Sequence, residues 1–169
     1  MDVLWQELSL GIASREQFLR VLIRLTAAAV LAGLIGYTRE RQHRPAGLRT
    51  HILVALGTAV FVIACTGAGF DNDGLSRVIQ GIATGIGFIG AGSIIKLRDR
   101  ADIKGLTTAA GIWMTCAIGV LTGLGEVGLA IVATVFAFLV FTAVRGVERR
   151  LGFKPEDSPE IEPPPRNGE

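Results

Sequence analysis

The sequence predicts an all-α membrane protein with five transmembrane helices, and three observations carry that prediction. Half of the 169 residues are apolar and the mean hydropathy is +0.48, which is too hydrophobic for an ordinary soluble domain. Five apolar runs each have about the 20 residues that a helix needs to cross the hydrocarbon core. Lys and Arg concentrate in alternate loops between these runs, as expected of a chain that crosses the membrane repeatedly.

The first predicted span, Phe18–Tyr37, carries Arg20 and Arg24 near its start, and we expect both side chains to reach the membrane interface. No small-residue cleavage site follows this run, so we interpret it as a span and not as a signal peptide. The other four runs contain no Asp, Glu, Lys or Arg: His51–Phe70, Val78–Ile95, Gly105–Gly125 and Val127–Val144.

The basic residues of the loops predict the orientation of the chain. The first and third loops and the start of the tail hold most of them: Arg39, Arg41, Arg44, Arg49, Lys96, Arg98, Arg100, Lys104, Arg145, Arg149 and Arg150. Short loops rich in Lys and Arg stay in the cytoplasm. We therefore predict an external N-terminus, two cytoplasmic basic loops and a cytoplasmic C-terminus.

The chain divides into three predicted parts. Residues 1–17 mix apolar side chains with charge, which suits a segment on the outer face of the membrane. Residues 18–146 form the five-span domain. Residues 147–169 form a cytoplasmic tail that is rich in Pro and acidic residues, and we expect it to be disordered towards its end.

A short motif occurs twice and indicates an internal repeat. Gly47-Leu-Arg-Thr50 opens the second span and Gly105-Leu-Thr-Thr108 opens the fourth, each after a basic loop. Spans one and two and spans three and four are therefore predicted to be two parallel helical-hairpin repeats, followed by span five.

The third run contains the stretch Gly85-Ile-Gly-Phe-Ile-Gly-Ala-Gly92, which includes the pattern G-x-G-x-x-G. A dinucleotide-binding turn needs a strand before it and a helix after it, and an uninterrupted apolar run offers neither. On a helix, small residues fall on two opposite sides and permit close approach of neighbouring helices. We predict that span three is the central helix and that its glycines serve helix packing: Gly81, Gly85, Gly87, Gly90 and Gly92. Local unwinding along an ion path is the alternative.

The sequence offers little chemistry for catalysis, for a metal or for a cofactor. No carboxylate lies deep in a run, and Ser, His, Asp and Cys form no nucleophile–base pattern, so we expect no enzyme and no cofactor. His43 and His51 are interpreted as a solvated and an interfacial side chain, not as a zinc pair. Asp71-Asn-Asp-Gly74 resembles the start of a calcium loop, but Gln80 stands where that loop requires Glu.

Polar residues gather instead around the first basic loop and the start of span four. We predict one polar cluster at the cytosolic surface, in which Glu40 is paired and the two repeats meet; its members are Glu40, Arg44, Arg49, Thr50 and Thr108. The alternative is a plain basic loop in contact with anionic lipid.

Three stretches resemble the motifs of the MgtC/SapB family: Tyr37–His51, Gly85–Gly92, and Gly105–Ala110 with Trp113. The resemblance covers residues 18–145 and implies a polytopic protein of the bacterial inner membrane. Members are linked to adaptation to low magnesium, to survival of pathogens inside cells and to inhibition of the rotary ATP synthase. Some carry a C-terminal cytosolic domain, which the segment after Val144 in this sequence is too short to form.

The resemblance also implies which polar residues matter, because the recurrent polar positions of the family fall here on Arg39, Glu40, Arg44, Arg49, Thr50, His51, Arg77, Gln80, Thr107 and Thr108. Two functions follow as expectations. One is a regulatory protein that contacts a membrane-protein partner or another copy of itself within membrane lipid. The other is a small transporter or channel for an ion such as magnesium, with Arg77, Gln80 and threonines along the path. No nucleic-acid partner is expected.

Overall fold

The structure, a computed structural model, describes residues 14–96, 103–144, 146 and 151. It contains five α-helices, namely α1 (Arg15–Arg41), α2 (Leu48–Gly67), α3 (Asn72–Gly92), α4 (Leu106–Leu124) and α5 (Val127–Leu139). A π-helical turn, Val140–Val144, continues α5. Before α4, β1 (Ile95–Lys96) and β2 (Ile103–Lys104) pair as antiparallel strands. The predicted all-α class is confirmed.

Four helices are long and apolar enough to cross a membrane: α1, α2, α4 and α5 with its π turn. Helix α3 has 21 residues, about 31 Å at 1.5 Å per residue, which is also long enough. Its start carries Asp73, Arg77 and Gln80, however, and it is not among the four. A fifth span therefore stays a prediction.

Helix α1 begins earlier than the predicted first span. Ser14 is its N-cap, and the Ser14 hydroxyl accepts a hydrogen bond from the Gln17 backbone N–H at 3.1 Å. This cap satisfies one of the free N–H groups of the first turn, so the helix begins at Arg15, inside the predicted outer segment. Residues 1–13 and nearly all of the predicted tail lie outside the described residues.

The central helix is α4, and the prediction that span three is central is wrong. Helix α4 packs against each of the other four helices. Half of its most apolar stretch is buried, against 22 to 28% in the other candidate spans. Two glycines permit this: a Cβ on Gly119 would lie 2.6 Å from the Ala55 carbonyl oxygen, and one on Gly123 would lie 2.9 Å from that of Ala59.

Within this chain, most glycines of α3 do not pack against another helix as predicted. A Cβ on Gly90 would lie 3.7 Å from the Ala109 Cβ, so Gly90 does contact α4. At the remaining four positions a Cβ would meet no protein atom within 4 Å in the described structure: Gly81, Gly85, Gly87 and Gly92. Any packing role for these four lies outside the contacts of the described residues and stays a prediction.

The two predicted hairpins have matching features where their second helices, α2 and α4, begin. Gly47 and Gly105 are the N-cap residues of α2 and α4. A Cβ on Gly36 would lie 3.1 Å from the His51 Cβ, and Gly90 faces Ala109 in the same way. His51 and Ala109 each stand four residues after the capping glycine. The duplication remains an interpretation that these contacts favour.

Candidate functional site: a buried polar cluster at one end of the bundle

The inner end of the bundle is the end where α1 finishes and α2 and α4 begin. Arg39, in the last turn of α1, is only 2% exposed there. Its Nη2 donates a hydrogen bond to Thr108 Oγ1 at 2.7 Å, and its guanidinium carbon lies 5.1 Å from the centre of the Phe141 ring. A buried charge is tolerated only with such compensation, and a desolvated cation–π contact contributes about 2 kcal/mol. Arg39 thus joins α1, α4 and the π turn.

His51 lies beside this contact in the second turn of α2 and is fully buried. Its Nδ1 is 2.6 Å from Thr115 Oγ1, and that hydroxyl donates to the Gly111 carbonyl at 2.9 Å. Because a hydroxyl has one hydrogen, this arrangement makes Nδ1–H of His51 the donor to Thr115. The other ring nitrogen, Nε2, is buried without a hydrogen-bond partner in the described part of the chain.

His51 is thus enclosed by protein near the start of α2, its depth relative to the membrane interface stays a prediction, and glycines make room for its ring. A Cβ on Gly111 would lie 3.7 Å from the imidazole Cε1 of His51, and one on Gly36 would lie 3.1 Å from its Cβ. Both neighbouring helices thus present backbone to the imidazole, which leaves space for the ring inside the bundle. His43 is exposed, as predicted, and has a positive φ of 54°.

Glu40 lies next to the cluster and closes the start of α2. Its Oε2 accepts a hydrogen bond from the Leu48 backbone N–H at 2.8 Å. The N-cap residue of α2 is Gly47, which has no side chain to do this. A carboxylate at a helix N-terminus satisfies a free donor and faces the positive end of the helix dipole. Glu40 is thus paired, as predicted, and its partner is a backbone N–H.

The predicted polar residues do not all come together. Arg39, His51 and Thr108 form the cluster, together with Thr115 and Phe141; we call these five residues the inner-end cluster. Thr107, Arg44 and Thr50 are half-buried and Arg49 is exposed. Arg49 and Thr50 make no side-chain hydrogen bond to the cluster within the described ranges. Arg77 and Gln80 lie apart from it, exposed on α3.

Sequence reasoning missed Thr115 and Phe141. The signal for Thr115 was present, because Thr108, Thr115 and Thr122 recur every seven residues and all three are buried on α4. Thr115 and Thr122 also donate to carbonyls of their own helix. Phe141 reaches Arg39 from the π turn, and nothing in the local sequence predicts such a turn.

At the opposite end of the bundle, Arg24 closes α4. Its Nη1 donates to the Gly123 carbonyl at 2.8 Å, and Gly125 follows with a φ of 91° at the C-cap. A cation at a helix C-terminus satisfies a free carbonyl and the dipole together. Arg24 is half-buried and docks on protein, and its reach to the membrane interface stays a prediction.

Metal ligation finds little support in the part of the chain that the structure describes. No group of three or more His, Cys, Asp or Glu residues there could hold a metal ion. The two cysteines are free thiols, and buried Cys116 lies 3.6 Å from the Thr58 hydroxyl. The polar atoms of the inner-end cluster donate and accept hydrogen bonds within the bundle.

A bundle of long apolar helices, with a buried arginine and histidine at one end, defines a polytopic α-helical membrane protein. Within that class the chain belongs to the MgtC family, whose model matches residues 25–150. The resemblance seen in the sequence is confirmed.

Three relatives illustrate the match. The chain is 40% identical over 137 residues to Protein SrpB of Synechococcus elongatus, across 75% of each protein. It is 44% identical over 130 residues to Protein MgtC of Brucella abortus, across 77% of this chain and 53% of that protein. It is 43% identical over 138 residues to "Putative magnesium transporter YhiD" of Escherichia coli K12, across 77% and 63%. No solved structure matches the chain.

The chain thus spans little more than half the length of the Brucella relative and under two thirds of YhiD. The relatives come from bacteria, and the apolar helices fit a lipid bilayer. The chain is a multi-pass membrane protein of the bacterial inner membrane.

Proposed function

We propose that this chain is a regulatory membrane protein that acts in magnesium limitation or membrane energetics, through contact with a membrane partner such as the ATP synthase. The observation that carries the proposal is the set of contacts that holds the helix ends together at the inner end. Arg39 is held by Thr108 and by the Phe141 ring, and Glu40 caps α2. These contacts fix the helix ends on which the exposed basic residues stand.

Basic side chains surround this fixed end. Arg41 and Arg49 are exposed, and the guanidinium of Arg41 lies 5.1 Å from the Tyr37 ring on the outside of α1. A basic surface at the predicted cytosolic end attracts an acidic protein surface or anionic lipid. A rigid surface loses less conformational entropy on binding than a mobile loop, which favours a contact function.

Charge reversal at Arg49 tests the proposal. We expect purified chain added to inverted membrane vesicles to lower ATP-driven proton pumping, and Arg49→Glu to remove most of that effect. Arg15→Glu is the matched control, because Arg15 is exposed at the opposite end of α1. Growth of a deletion strain in low magnesium gives the second readout. Unaltered pumping and growth with the wild-type chain, or equal behaviour of the two variants, would contradict the proposal.

Ion transport is the second candidate function, and the printed name of the YhiD relative favours it. In this hypothesis Arg77, Gln80 and threonines line the path. A magnesium-flux assay in proteoliposomes separates the two functions. Flux above that of empty vesicles, lowered by Gln80→Leu, would support transport, and flux equal to empty vesicles supports the contact function.

A further inference from the structure

A groove of about 560 Å³ runs between α2 and α3, and buried Cys116 of α4 lines it as well. Its α2 wall includes Leu53 and Phe61, which are 68% and 62% exposed, and its α3 wall extends from Val78 to Ile89. The volume lies within the range of about 300–1,000 Å³ that is usual for small-molecule sites. The groove is therefore large enough for a ligand and opens to the surroundings of the bundle.

Glycines on both walls create this space. Gly57 on α2 and Gly81 and Gly85 on α3 line the groove, and a Cβ on any of them would meet nothing within 4 Å. At Gly119 of α4, by contrast, a Cβ would lie 2.6 Å from the backbone of α2. The glycines of the groove thus leave room that no other described part of the chain fills.

The groove is apolar and about as long as one leaflet is thick. Helix α2 is long and apolar enough to cross a membrane, and Leu53 lies about 8 Å along it from its first residue. Phe61 lies about 12 Å further, and one leaflet of the hydrocarbon core is about 15 Å thick. Among the described residues that line the groove, only Thr58 carries a hydroxyl, which donates to the Val54 carbonyl at 2.7 Å. The walls therefore offer an occupant apolar contact.

Polar groups continue the α2 wall at the inner end. Thr50 precedes Leu53 by three residues and Val54 by four, and Arg49 precedes Leu53 by four, so these residues share one side of the helix. Arg49 is exposed and Thr50 is half-buried, and the described residues give neither side chain a hydrogen bond. A guanidinium and a hydroxyl thus stand where the groove ends towards the inner end.

The backbone adds donors at the same place. The N–H of Leu48 is bonded to Glu40, whereas the described residues give the N–H groups of Arg49 and Thr50, in the first turn of α2, no hydrogen bond. The first N–H groups of a helix have no carbonyl of their own helix to bond, and together with the helix dipole they favour an anion. The inner end of the groove is therefore suited to an anionic group.

This order of groups matches a phospholipid with an anionic headgroup. A phosphate accepts hydrogen bonds from a guanidinium, a hydroxyl and backbone N–H groups, and its acyl chain extends from there along an apolar surface. A partner helix would have to bring its own acidic group to the level of Arg49. Anionic lipid is concentrated in the cytoplasmic leaflet, which is the side predicted for the inner end.

We propose that the α2–α3 groove binds one acyl chain of an anionic phospholipid, whose phosphate is held by Arg49, Thr50 and the start of α2. This site does not rest on the proposed function. Arg49 belongs to both surfaces, but the glycines of the groove belong to the lipid site alone. Variants of these glycines therefore separate the two proposals.

Photolabelling in phosphatidylcholine vesicles tests the groove, with a phosphatidylglycerol that carries a diazirine in its acyl chain as the probe. We expect mass spectrometry to find more label on the groove walls than on Val132 and Phe136, which are exposed on α5. Gly57→Leu fills the groove and should remove most of the groove label. Gly128→Leu is the matched control, because a Cβ on Gly128 of α5 also meets nothing within 4 Å.

Gly85→Leu fills the groove from the α3 wall and repeats the test, and thermal unfolding verifies that each variant is folded. Equal label on the groove and on α5, or groove label that both filling variants retain, would overturn the proposal. The proposal would also fail if the groove took no lipid label because another copy or another protein covered it.

The headgroup has its own measurement, in which unlabelled phosphatidylglycerol or phosphatidylcholine with the same chains competes with the probe. We expect phosphatidylglycerol to compete better, and Arg49→Gln to lower this preference about fivefold, the effect of one cation near an anionic lipid surface. Arg15→Gln, at the opposite end of α1, should leave the preference unchanged. A preference that Arg49→Gln does not alter would refute the role of Arg49.

The failure of this proposal and that of the proposed function are distinguishable. Gly57→Leu keeps Arg49 and the other basic residues of the inner end, so this variant should still lower ATP-driven proton pumping. Absence of groove label beside an intact effect on pumping would contradict the lipid site alone. Groove label without any effect on pumping would contradict the contact function alone.

Discussion

Thr50 and Thr108 stand at matching positions after the glycines that cap α2 and α4, yet their surroundings differ. Thr108 is 1% exposed and accepts the 2.7 Å hydrogen bond from Arg39, whereas Thr50 is half-buried. Valine has nearly the shape of threonine but cannot accept that bond. Thr108→Val therefore leaves one buried donor of Arg39 without this acceptor.

We predict that Thr108→Val lowers the free energy of unfolding by about 1–3 kcal/mol. Thr50→Val should change it by less than about 0.5 kcal/mol, since the described residues give its hydroxyl no hydrogen bond. Denaturant unfolding in detergent micelles, followed by circular dichroism, measures both variants. Equal effects would mean that the Arg39–Thr108 bond does not stabilise the bundle.

At the scale of single residues, the sequence predicted where polar groups would gather but not how they pair. Thr108 was named from the repeated motif, which is a local feature, whereas Arg39 and His51 were named because the family resemblance implied them. Thr115 and Phe141 were missed because their roles depend on which helix faces α2 and on a π turn after α5. Glu40 was expected to be paired, and the sequence did not show that its partner is the backbone N–H of Leu48 at the start of α2.

At the scale of helices, the glycine-rich α3 was expected at the centre, and α4 occupies that place. A glycine indicates close packing only where the backbone of another helix lies against it. The sequence alone does not show which glycines have such a neighbour. Helix α2 supplies Ala55 and Ala59 opposite Gly119 and Gly123, so small residues meet small residues there. The length and apolar character of each helix were predictable because they depend on local composition alone.

A glycine that lies against another backbone and a glycine that faces open space predict opposite effects of substitution by alanine on stability. Gly119→Ala places a Cβ 2.6 Å from the Ala55 carbonyl oxygen, and we expect a loss of about 1–3 kcal/mol in unfolding free energy. Gly85→Ala meets nothing within 4 Å and should be neutral or raise stability by up to about 1 kcal/mol, because alanine favours helix. Thermal unfolding of the detergent-solubilised monomer compares them. A greater loss at Gly85 would contradict the packing described for α4.

At the scale of the whole molecule, two sets of contacts define the two ends of the bundle. Arg39, Thr108 and Phe141 bring the end of α1, the start of α4 and the end of α5 together. Arg24 and Gly123 join the start of α1 to the end of α4 at the opposite end. Alternate connections therefore lie at the same end, as the distribution of Lys and Arg predicted. Which end faces the cytoplasm depends on the membrane and not on packing.

Helix α3 decides whether the chain crosses four or five times. It begins after α2 at the end opposite the inner end, and its Gly90 faces Ala109 in the first turn of α4 at the inner end. A helix that runs between the two ends beside α4 covers the same depth as α4 does. Its polar start lowers its hydropathy without shortening it, so we predict that α3 crosses the membrane and that the inner end is cytoplasmic.

Labelling of single cysteines with a membrane-impermeant maleimide in intact cells tests both statements. Arg49 and Asp73 are exposed in the structure, Arg49 at the inner end and Asp73 at the start of α3. We expect Asp73→Cys to react in intact cells and Arg49→Cys to react only after the membrane is opened. A cysteine at Ile103, exposed in β2 just before α4, should behave like the one at Arg49 if α3 crosses. Reaction of Ile103→Cys and Asp73→Cys from the same side would show that α3 turns back, and the chain would then have four spans.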